Sequence, residues 1–295
     1  MELDIWACPV CYSELTERGA EISCRSEGRS YRRIDRLPVL VRPEQESLLR
    51  DAERLSFAWK RTKWAVPRKE ILQLPYVRRA GWKQKARSFR ALQAILGSPN
   101  RRVVLDVGAG TGWLSHRLAE IGFRCFATDI SLDPDVGLGA STQFDETSGP
   151  FERAIATLDR WPVRSGTIDI ALCNASLHYL ADIRGAIAEA ARVLRTEGMF
   201  VIMNSPVHED SISAHRASLN FQKRLRRLGG DGQLVEHHQH FVGSELESHL
   251  REFFAKIVRH EPLPGWWFAT SRTVKGAMVG IELASFPIYE ARAPL

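Results

Sequence analysis

The stretch that decides the fold is residues 101–115, which read R-R-V-V-L-D-V-G-A-G-T-G-W-L-S. Residues 103–107 form a short apolar, β-branched run, which is typical of a buried parallel strand. Glycines then stand at every second position from 108 to 112, and apolar residues recur with helical spacing from 113 onward. A helix that follows a strand in this way directs its first backbone amides at a ligand above the strand end. The stretch therefore predicts a strand, a glycine turn and a helix around a nucleotide-type ligand.

Two kinds of glycine turn occur at this place in α/β proteins. The dinucleotide fingerprint G-x-G-x-x-G uses its third glycine for close helix packing, but that position is Trp113 here. The glycines instead alternate behind Asp106, which resembles motif I of the class I S-adenosylmethionine (SAM) dependent methyltransferases. The resemblance implies that Asp106, Gly108, Ala109 and Gly110 contact SAM.

Later segments continue the resemblance as far as residue 205. Asp129 ends a second predicted strand 19 residues beyond Gly110, where the family's carboxylate binds the ribose hydroxyls, and Ile130 adjoins it. The family's adenine contacts fall on the carboxyl group of Asp159 and the backbone amide of Arg160. Asn174 follows a further strand, at residues 168–173, and we expect it at the cofactor as well.

The resemblance and the periodicity together predict an α/β fold. We expect a seven-stranded Rossmann-like methyltransferase sheet with helices on both faces over residues 99–295, completed by an antiparallel edge pair at 255–262 and 281–291. A small β module that resembles a zinc ribbon precedes it at residues 1–43. A helical segment, residues 44–98, joins the two.

The N-terminal module carries a candidate metal site. Cys8 and Cys11 form a C-x-x-C knuckle, and Cys24 begins a second knuckle whose fourth position is Glu27. Zinc takes four ligands from thiolate, imidazole or carboxylate, so Glu27 or a water would complete the site. The stretch is similar to the small zinc-ribbon proteins that activate methyltransferases. A ribbon that keeps its hairpins without metal is the alternative.

The helical segment is strongly basic. Residues 50–102 hold 15 Lys or Arg against three acids, although the whole chain has a net charge of only +6. Tryptophan, tyrosine and phenylalanine are interleaved with these charges, a pattern that suits phosphate binding and base stacking. The alternative, which we favour, is a solvated basic face with aromatic residues packed inward as a cap over the active site.

Candidate catalytic residues follow the strand at 168–173. His178 is the first candidate for a general base because an imidazole titrates near neutral pH, and Tyr179 is the second. Asn174 and His208 are weaker candidates, and a packing role for His178 is the alternative. Histidines at 237, 238 and 240 suggest either a metal site or, as we expect, a mobile lid that contains histidines incidentally.

Three functions remain open from the sequence. The first is methyl transfer from SAM to O, N or C of a small molecule, enclosed by the helical segment, the loop 131–150 and the aromatic loop 264–268. The second is RNA methylation, since zinc ribbons also precede this domain in ribosomal RNA guanine methyltransferases. The third is a silent binding partner of another enzyme, which the intact SAM motifs oppose. We expect a cytoplasmic protein because the start of the sequence lacks the pattern of a signal peptide and no apolar run spans a membrane. The oligomeric state is left open.

Overall fold

The structure, a computed structural model, describes residues 5–18, 21–262 and 283–295. The strands are β1 Leu15–Arg18, β2 Glu21–Cys24, β3 Ser30–Tyr31, β4 Arg33–Ile34, β5 Leu37–Pro38, β6 Val103–Val107, β7 Arg124–Asp129, β8 Glu152–Ile155, β9 Ile168–Asn174, β10 Leu194–Met203, β11 Val207–His208, β12 Phe241–Val242, β13 Phe254–His260 and β14 Ile288–Pro294. The α-helices are α1 Ser47–Lys60, α2 Trp82–Leu96, α3 Trp113–Glu120, α4 Ile183–Val193, α5 Ser211–Arg227, α6 Gln233–Glu236 and α7 Gly243–Arg251. Short 3₁₀ helices cover Pro43–Gln45, Arg68–Gln73, Leu138–Phe144 and Leu177–Tyr179.

A seven-stranded sheet in the order β13-β14-β10-β9-β6-β7-β8 forms the centre of the fold. The strands from β6 to β10 run parallel, and β14 runs antiparallel to both β10 and β13. This confirms the predicted Rossmann-like methyltransferase fold and its antiparallel edge pair. The second strand of the pair begins at Ile288 rather than at residue 281, and residues 281 and 282 lie outside the described part.

Both faces of the sheet are covered, as the apolar run in β6 requires. Val103 and Leu105 face a core that includes α4 and α7, whereas Val104 faces a second core with α2 and α3. Side chains of a strand alternate between its two faces, so a strand with apolar residues on both faces needs helices on both sides. All five residues of β6 are buried accordingly.

The N-terminal module is a three-stranded antiparallel sheet, β1-β2-β3, followed by the hairpin β4-β5. It docks on the large sheet through Trp6, which is fully buried with its ring edge-on to Phe126 at 5.7 Å between centroids. The backbone N–H of Ala7 also donates to the carbonyl of Pro162 at 2.8 Å. The module and the sheet therefore share one hydrophobic core.

The chain leaving the module extends the large sheet at one edge. Val39 pairs with Ile155 of β8 in parallel, and the N–H of Leu40 donates to the carbonyl of Ile155 at 2.8 Å. Residues 39–41 thus lie beside the outermost strand before the chain turns into α1.

Trp113 connects the glycine turn to the helical segment. Its indole meets the rings of Trp82 and Phe89 in α2 edge-on, at 5.9 and 6.0 Å between centroids. The residue that departs from the dinucleotide fingerprint therefore fixes α2 against α3. The predicted helical segment, residues 44–98, contains α1 and α2.

The remaining described residues complete the layers around the sheet. The parallel pair β11-β12 holds α5 and α7 near the end of β10. No helix in the described ranges is both long enough and apolar enough to cross a bilayer. The predicted aromatic loop at 264–268 lies outside the described residues.

Candidate active site

A cavity of about 530 Å³ lies at the carboxyl ends of the central parallel strands. Open α/β sheets bind their ligands at this edge. The cavity brings together eight of the predicted site residues: Gly108, Ala109, Gly110, Asp129, Ile130, Asn174, His178 and Tyr179. Asp106, Asp159 and Arg160 do not line it.

The glycine turn shapes one wall of the cavity. Gly108 has a φ of +72°, and a Cβ placed there would approach the Cβ of Ser176 to 2.3 Å. Gly110 has a φ of +56°, but a Cβ there would meet only the carbonyl of Val136, at 3.6 Å. Both glycines have left-handed backbone conformations, which glycine adopts without strain. Gly108 also lacks room for a Cβ, whereas the space beside Gly110 is open to a ligand.

Asp129 connects the turn to the next strand. Its Oδ2 accepts the N–H of Gly110 at 2.7 Å, and its Oδ1 accepts the N–H of Ser131 at 2.8 Å. Burial raises the pKa of Asp129, while the N–H donors act in the opposite direction. Each carboxylate oxygen has a second lone pair, so the group is still able to accept hydroxyl groups of a ligand.

Asp106 lies beneath the cavity rather than in its wall. Its side chain is fully buried, Oδ2 accepts the hydroxyl of Ser115 at 2.8 Å, and Oδ1 lacks a hydrogen-bond partner among the described residues. Burial raises the pKa of Asp106 to about 7, and the charge of Asp129 adds to the effect. The side chain of Asp106 therefore does not reach the cavity, where a direct contact with SAM was predicted for it. It lies beneath the glycine turn and supports it.

Asp159 lies beside the chain that leaves the N-terminal module. Its Oδ2 accepts Arg42 Nη2 at 3.0 Å and Gln45 Nε2 at 2.6 Å. The preceding residue, Leu158, lines the cavity instead. The adenine contact of the Asp159 carboxyl group stays a prediction, and in this structure that carboxyl group is already paired.

The side chain of Arg160 also faces the N-terminal module. It donates from Nε to the carbonyl of Pro9 at 2.9 Å and from Nη2 to the carbonyl of Val10 at 2.8 Å, and its guanidinium lies 4.0 Å from the centre of the Tyr12 ring. Only its backbone amide was predicted to read adenine, and that role remains a prediction.

Residues of the helical segment line one side of the cavity, and its role as a cap stays a prediction. Three contacts fasten α1 over it: Trp59 Nε1 to Tyr179 Oη at 2.9 Å, Ser56 Oγ to Ser131 Oγ at 2.7 Å, and Lys60 Nζ to Asp133 Oδ2 at 2.6 Å. Trp59, Trp64 and Trp82 line the cavity with their rings. The three tryptophans of the segment thus face the cavity, whereas Phe57 and Tyr76 are exposed.

His178 and Tyr179 occupy the wall beneath this cap. His178 is buried, and its Nδ1 lies 3.1 Å from Ser205 Oγ. Burial lowers the pKa of His178 to about 3, with smaller contributions from His240 and Lys85. Burial raises the pKa of Tyr179. The imidazole is therefore unprotonated and a weak base, and the phenol keeps its proton.

A buried hydrogen-bond chain orients Asn174. Ser88 of α2 donates to Asn204 Oδ1 at 2.9 Å, and Asn204 Nδ2 donates to Asn174 Oδ1 at 2.8 Å. The amide oxygen of Asn174 is thereby engaged, so its NH₂ group is the one that faces a ligand. The chain also ties the cap to the ends of β9 and β10.

Residues 237–240 pack into the cavity wall, and their movement as a lid stays a prediction. His238 is only 2% exposed, its ring stacks on Phe221 at 4.2 Å, and both His238 and His240 line the cavity. His240 Nδ1 lies 3.0 Å from Nε2 of His208. Packing of α5 against this segment buries the imidazoles, which local sequence does not reveal. Over the described ranges, these histidines do not form a cluster with metal-ligand spacing.

The three predicted cysteine ligands do come together. The sulfur atoms of Cys8, Cys11 and Cys24 all lie within 4.8 Å of one another. Glu27 does not join them: its carboxylate lies 3.7 Å from Arg29 Nε, and only its backbone N–H reaches Cys24 Sγ. The prediction of Glu27 as the fourth ligand is therefore not supported, because the turn after Cys24 directs its side chain outward. Three thiols suit zinc with a water in the fourth position.

Known proteins resemble this chain mainly in its central part. The protein family described as "Methyltransferase domain" matches residues 105–202. Residues 105–202 are therefore similar in sequence to methyltransferase domains. A malonyl-[acyl-carrier protein] O-methyltransferase of Hahella chejuensis is 33% identical over 98 residues, which cover 33% of this chain and 34% of that protein. The chain spans 34–61% of the length of the first curated relatives that it matches.

Solved structures support the same fold for the methyltransferase domain. A phosphoethanolamine N-methyltransferase of Haemonchus contortus, solved with phosphomonomethylethanolamine and S-adenosylhomocysteine, superposes with a TM-score of 0.58 at 12% identity, covering 82% of this chain and 60% of that one. A Haloferax volcanii complex between the Trm112 methyltransferase activator and a methyltransferase gives a TM-score of 0.51 at 19% identity, covering 72% of this chain and 92% of that one. At sequence identities of 12% and 19%, these superpositions show similarity of the fold alone.

The cavity fits SAM in shape and in chemistry. Gly110 leaves space at its Cα, Asp129 offers acceptor oxygens, and Ile130 and Leu158 provide apolar walls. The volume is in the range of small-molecule and cofactor pockets. Phe221 and Lys85 were not identified from the sequence as residues of the cavity wall, because neither belongs to a motif.

Proposed function

We propose that this protein transfers a methyl group from SAM to an oxygen, nitrogen or carbon atom of a small-molecule acceptor. The observation that carries the proposal is the cavity itself, in which the glycine turn and Asp129 share one enclosed space with the aromatic wall of the cap. A single space for cofactor and acceptor is what direct transfer between them needs.

The cofactor half of the cavity lies over β6 and β7. We assign the backbone of Gly108, Ala109 and Gly110 to the amino-acid part of SAM, Asp129 to the ribose hydroxyls, and Ile130 to the adenine. The acceptor half lies over β9 and β10, where Asn174, His178 and Tyr179 line the wall.

The residues of the acceptor half suit a transfer that releases a proton. SAM supplies a methyl group on a positively charged sulfur; the S–C bond breaks with its electron pair kept by sulfur, and the acceptor atom bonds the carbon and gives up its proton. We propose that His178 takes this proton, because its imidazole lines the cavity with Nδ1 3.1 Å from Ser205 Oγ. Burial lowers the pKa of His178, so its imidazole is unprotonated before the reaction. The NH₂ group of Asn174 orients the acceptor, and α1 excludes water.

A small molecule is favoured over RNA as the acceptor. The tryptophans of the basic segment line the cavity, and the contacts of α1 with Tyr179, Ser131 and Asp133 cover it. A duplex or a structured RNA base reaches such a cavity only after the cap moves. The O-methyltransferase names of the relatives support oxygen among the possible acceptor atoms.

Titration calorimetry with SAM and with S-adenosylhomocysteine tests the cofactor half of the proposal. We expect micromolar binding that total RNA does not change at either low or high salt. Binding of RNA that weakens steeply with salt would favour the RNA alternative, since phosphate contacts release counterions. Absence of cofactor binding would refute the proposed activity.

The N-terminal module has a structural part in this proposal. We propose that Cys8, Cys11 and Cys24 hold one zinc ion that stabilises the docking of Trp6 and the path of residues 39–41. A module of this size has too few apolar residues for a core of its own, so a metal adds to its stability.

A further inference from the structure

The charges in the cavity wall are separated by sign. Two carboxylates, Asp129 and Asp135, stand at the cofactor end, in and after β7. Among the described residues, Lys85 of α2 is the only Lys or Arg that lines the cavity. Because SAM carries a positive sulfur, acids near its half of the cavity are expected, whereas a lysine in the remaining wall calls for another explanation.

Lys85 lacks a counter-ion among the described residues. Its Nζ lies 4.3 Å from the centre of the Trp82 ring, and neither an ion pair nor a hydrogen bond of that nitrogen is formed within these ranges. Burial lowers the pKa of Lys85 to about 8, so the ammonium form still predominates at pH 7. Lys85 is half-buried. A charge that is partly withdrawn from water is normally paired, and an aromatic face is only a partial substitute for an anion.

The position of α2 places Lys85 over the acceptor half. Ser88, one turn further along the same face of α2, donates to Asn204 at the end of β10. Asp129 ends β7, which is three strands away from β10 in the sheet order. At the usual strand spacing this separation is about 14 Å. Lys85 is therefore on the side of Asn204 and His178, away from the ribose end.

We propose that Lys85 binds a carboxylate group of the methyl acceptor. The rest of that acceptor is apolar or aromatic, because Trp59, Trp82 and Phe221 form the neighbouring wall. The inference rests on the proposed function and narrows it to acidic small molecules. Lys85 acts here as a specificity-determining residue that recognises charge, while Asn174 and His178 serve the reacting atom.

The test uses the full chain loaded with S-adenosylhomocysteine and three pairs of probes: indole-3-acetate, 3-phenylpropionate and octanoate, each beside its neutral primary amide. Calorimetry compares the wild type with Lys85→Met and with Lys83→Met, an exposed lysine of the same helix that serves as control. We expect at least one carboxylate to bind the wild type and the control about tenfold more tightly than its amide, as a hydrogen bond to a charged group provides. Lys85→Met should abolish that preference.

The binding of cofactor analogues separates the alternatives. S-adenosylhomocysteine should bind Lys85→Met as tightly as the wild type. If the variant loses affinity for it but keeps affinity for methylthioadenosine, Lys85 holds the carboxylate of SAM, and the proposal is overturned. A wild type that prefers none of the carboxylates also overturns it. A wild type that fails to bind S-adenosylhomocysteine at all refutes the proposed function itself, and the acceptor site with it.

Discussion

The substitution Asp129→Asn separates the two tasks that we assign to this carboxylate. In the folded protein it accepts the N–H groups of Gly110 and Ser131 at 2.7 and 2.8 Å. An asparagine retains one acceptor oxygen but places an NH₂ group against the other N–H. A buried donor without a partner costs about 1–3 kcal/mol, so the free protein should lose stability by this amount.

The second task, binding of the ribose, contributes separately to affinity. A hydrogen bond from a hydroxyl to a charged acceptor is worth about 1.5–3 kcal/mol. Its loss weakens binding of S-adenosylhomocysteine by about 10- to 150-fold. Calorimetric titration measures this loss, and denaturant unfolding of the free protein measures the first.

The control for Asp129→Asn is Glu146→Gln, which neutralises an exposed carboxylate on the loop that follows the same strand. It should change neither quantity. If Asp129→Asn lowers stability but leaves the affinity for S-adenosylhomocysteine unchanged, the ribose assignment is wrong and the carboxylate only holds the turn.

Three further perturbations follow from the geometry. Burial raises the pKa of Asp106 from 3.8 to about 7, so the folded state favours the neutral carboxyl group and the wild type loses stability as the pH rises between these two values. Asp106→Asn does not ionise, so its melting temperature relative to that of the wild type should increase from pH 5 to pH 8. A difference that stays constant over this range would contradict the raised pKa. Cys11→Ser should reduce the zinc content of the purified protein well below one ion per chain, while Glu27→Gln should leave it unchanged; a metal-free wild type by elemental analysis would disprove the site. Trp59→Phe removes the hydrogen bond to Tyr179, so stopped-flow displacement should show faster release of S-adenosylhomocysteine, by about two- to tenfold for a bond worth 0.5–1.5 kcal/mol. An unchanged rate would mean that α1 does not have to move for release.

Local signals in the sequence were sufficient for the sheet and for eight of the predicted residues that line the cavity. β6 occupies the predicted residues 103–107, and the strand at Ile168–Asn174 extends the prediction by one residue. Short apolar runs with glycine or an acid at the end carry this information within a few residues of chain. Asp129 could be placed beside the glycine turn because its separation from Gly110 reflects the length of one strand-helix unit.

The acceptor half could not be predicted in the same way. Its wall combines Lys85 from α2, Phe221 from α5 and His238 from the segment after α6. Lys85 and Phe221 are more than 100 residues apart in the sequence. Such positions are fixed by packing between distant elements, for example by the contact of Trp113 with Trp82. Similarly, the side chain of Glu27 has ligand chemistry in the sequence, but the turn that carries it points elsewhere.

The pairing of residues 39–41 with β8 has a consequence for how the protein behaves in a crowded cell. A strand at the margin of a sheet presents unpaired N–H and C=O groups, which are a template for joining another chain. Here the hydrogen bond of Leu40 to Ile155 occupies part of that margin within the same molecule. Residues 39–41 thereby cover a part of the β8 edge that would otherwise be open to a strand of another molecule.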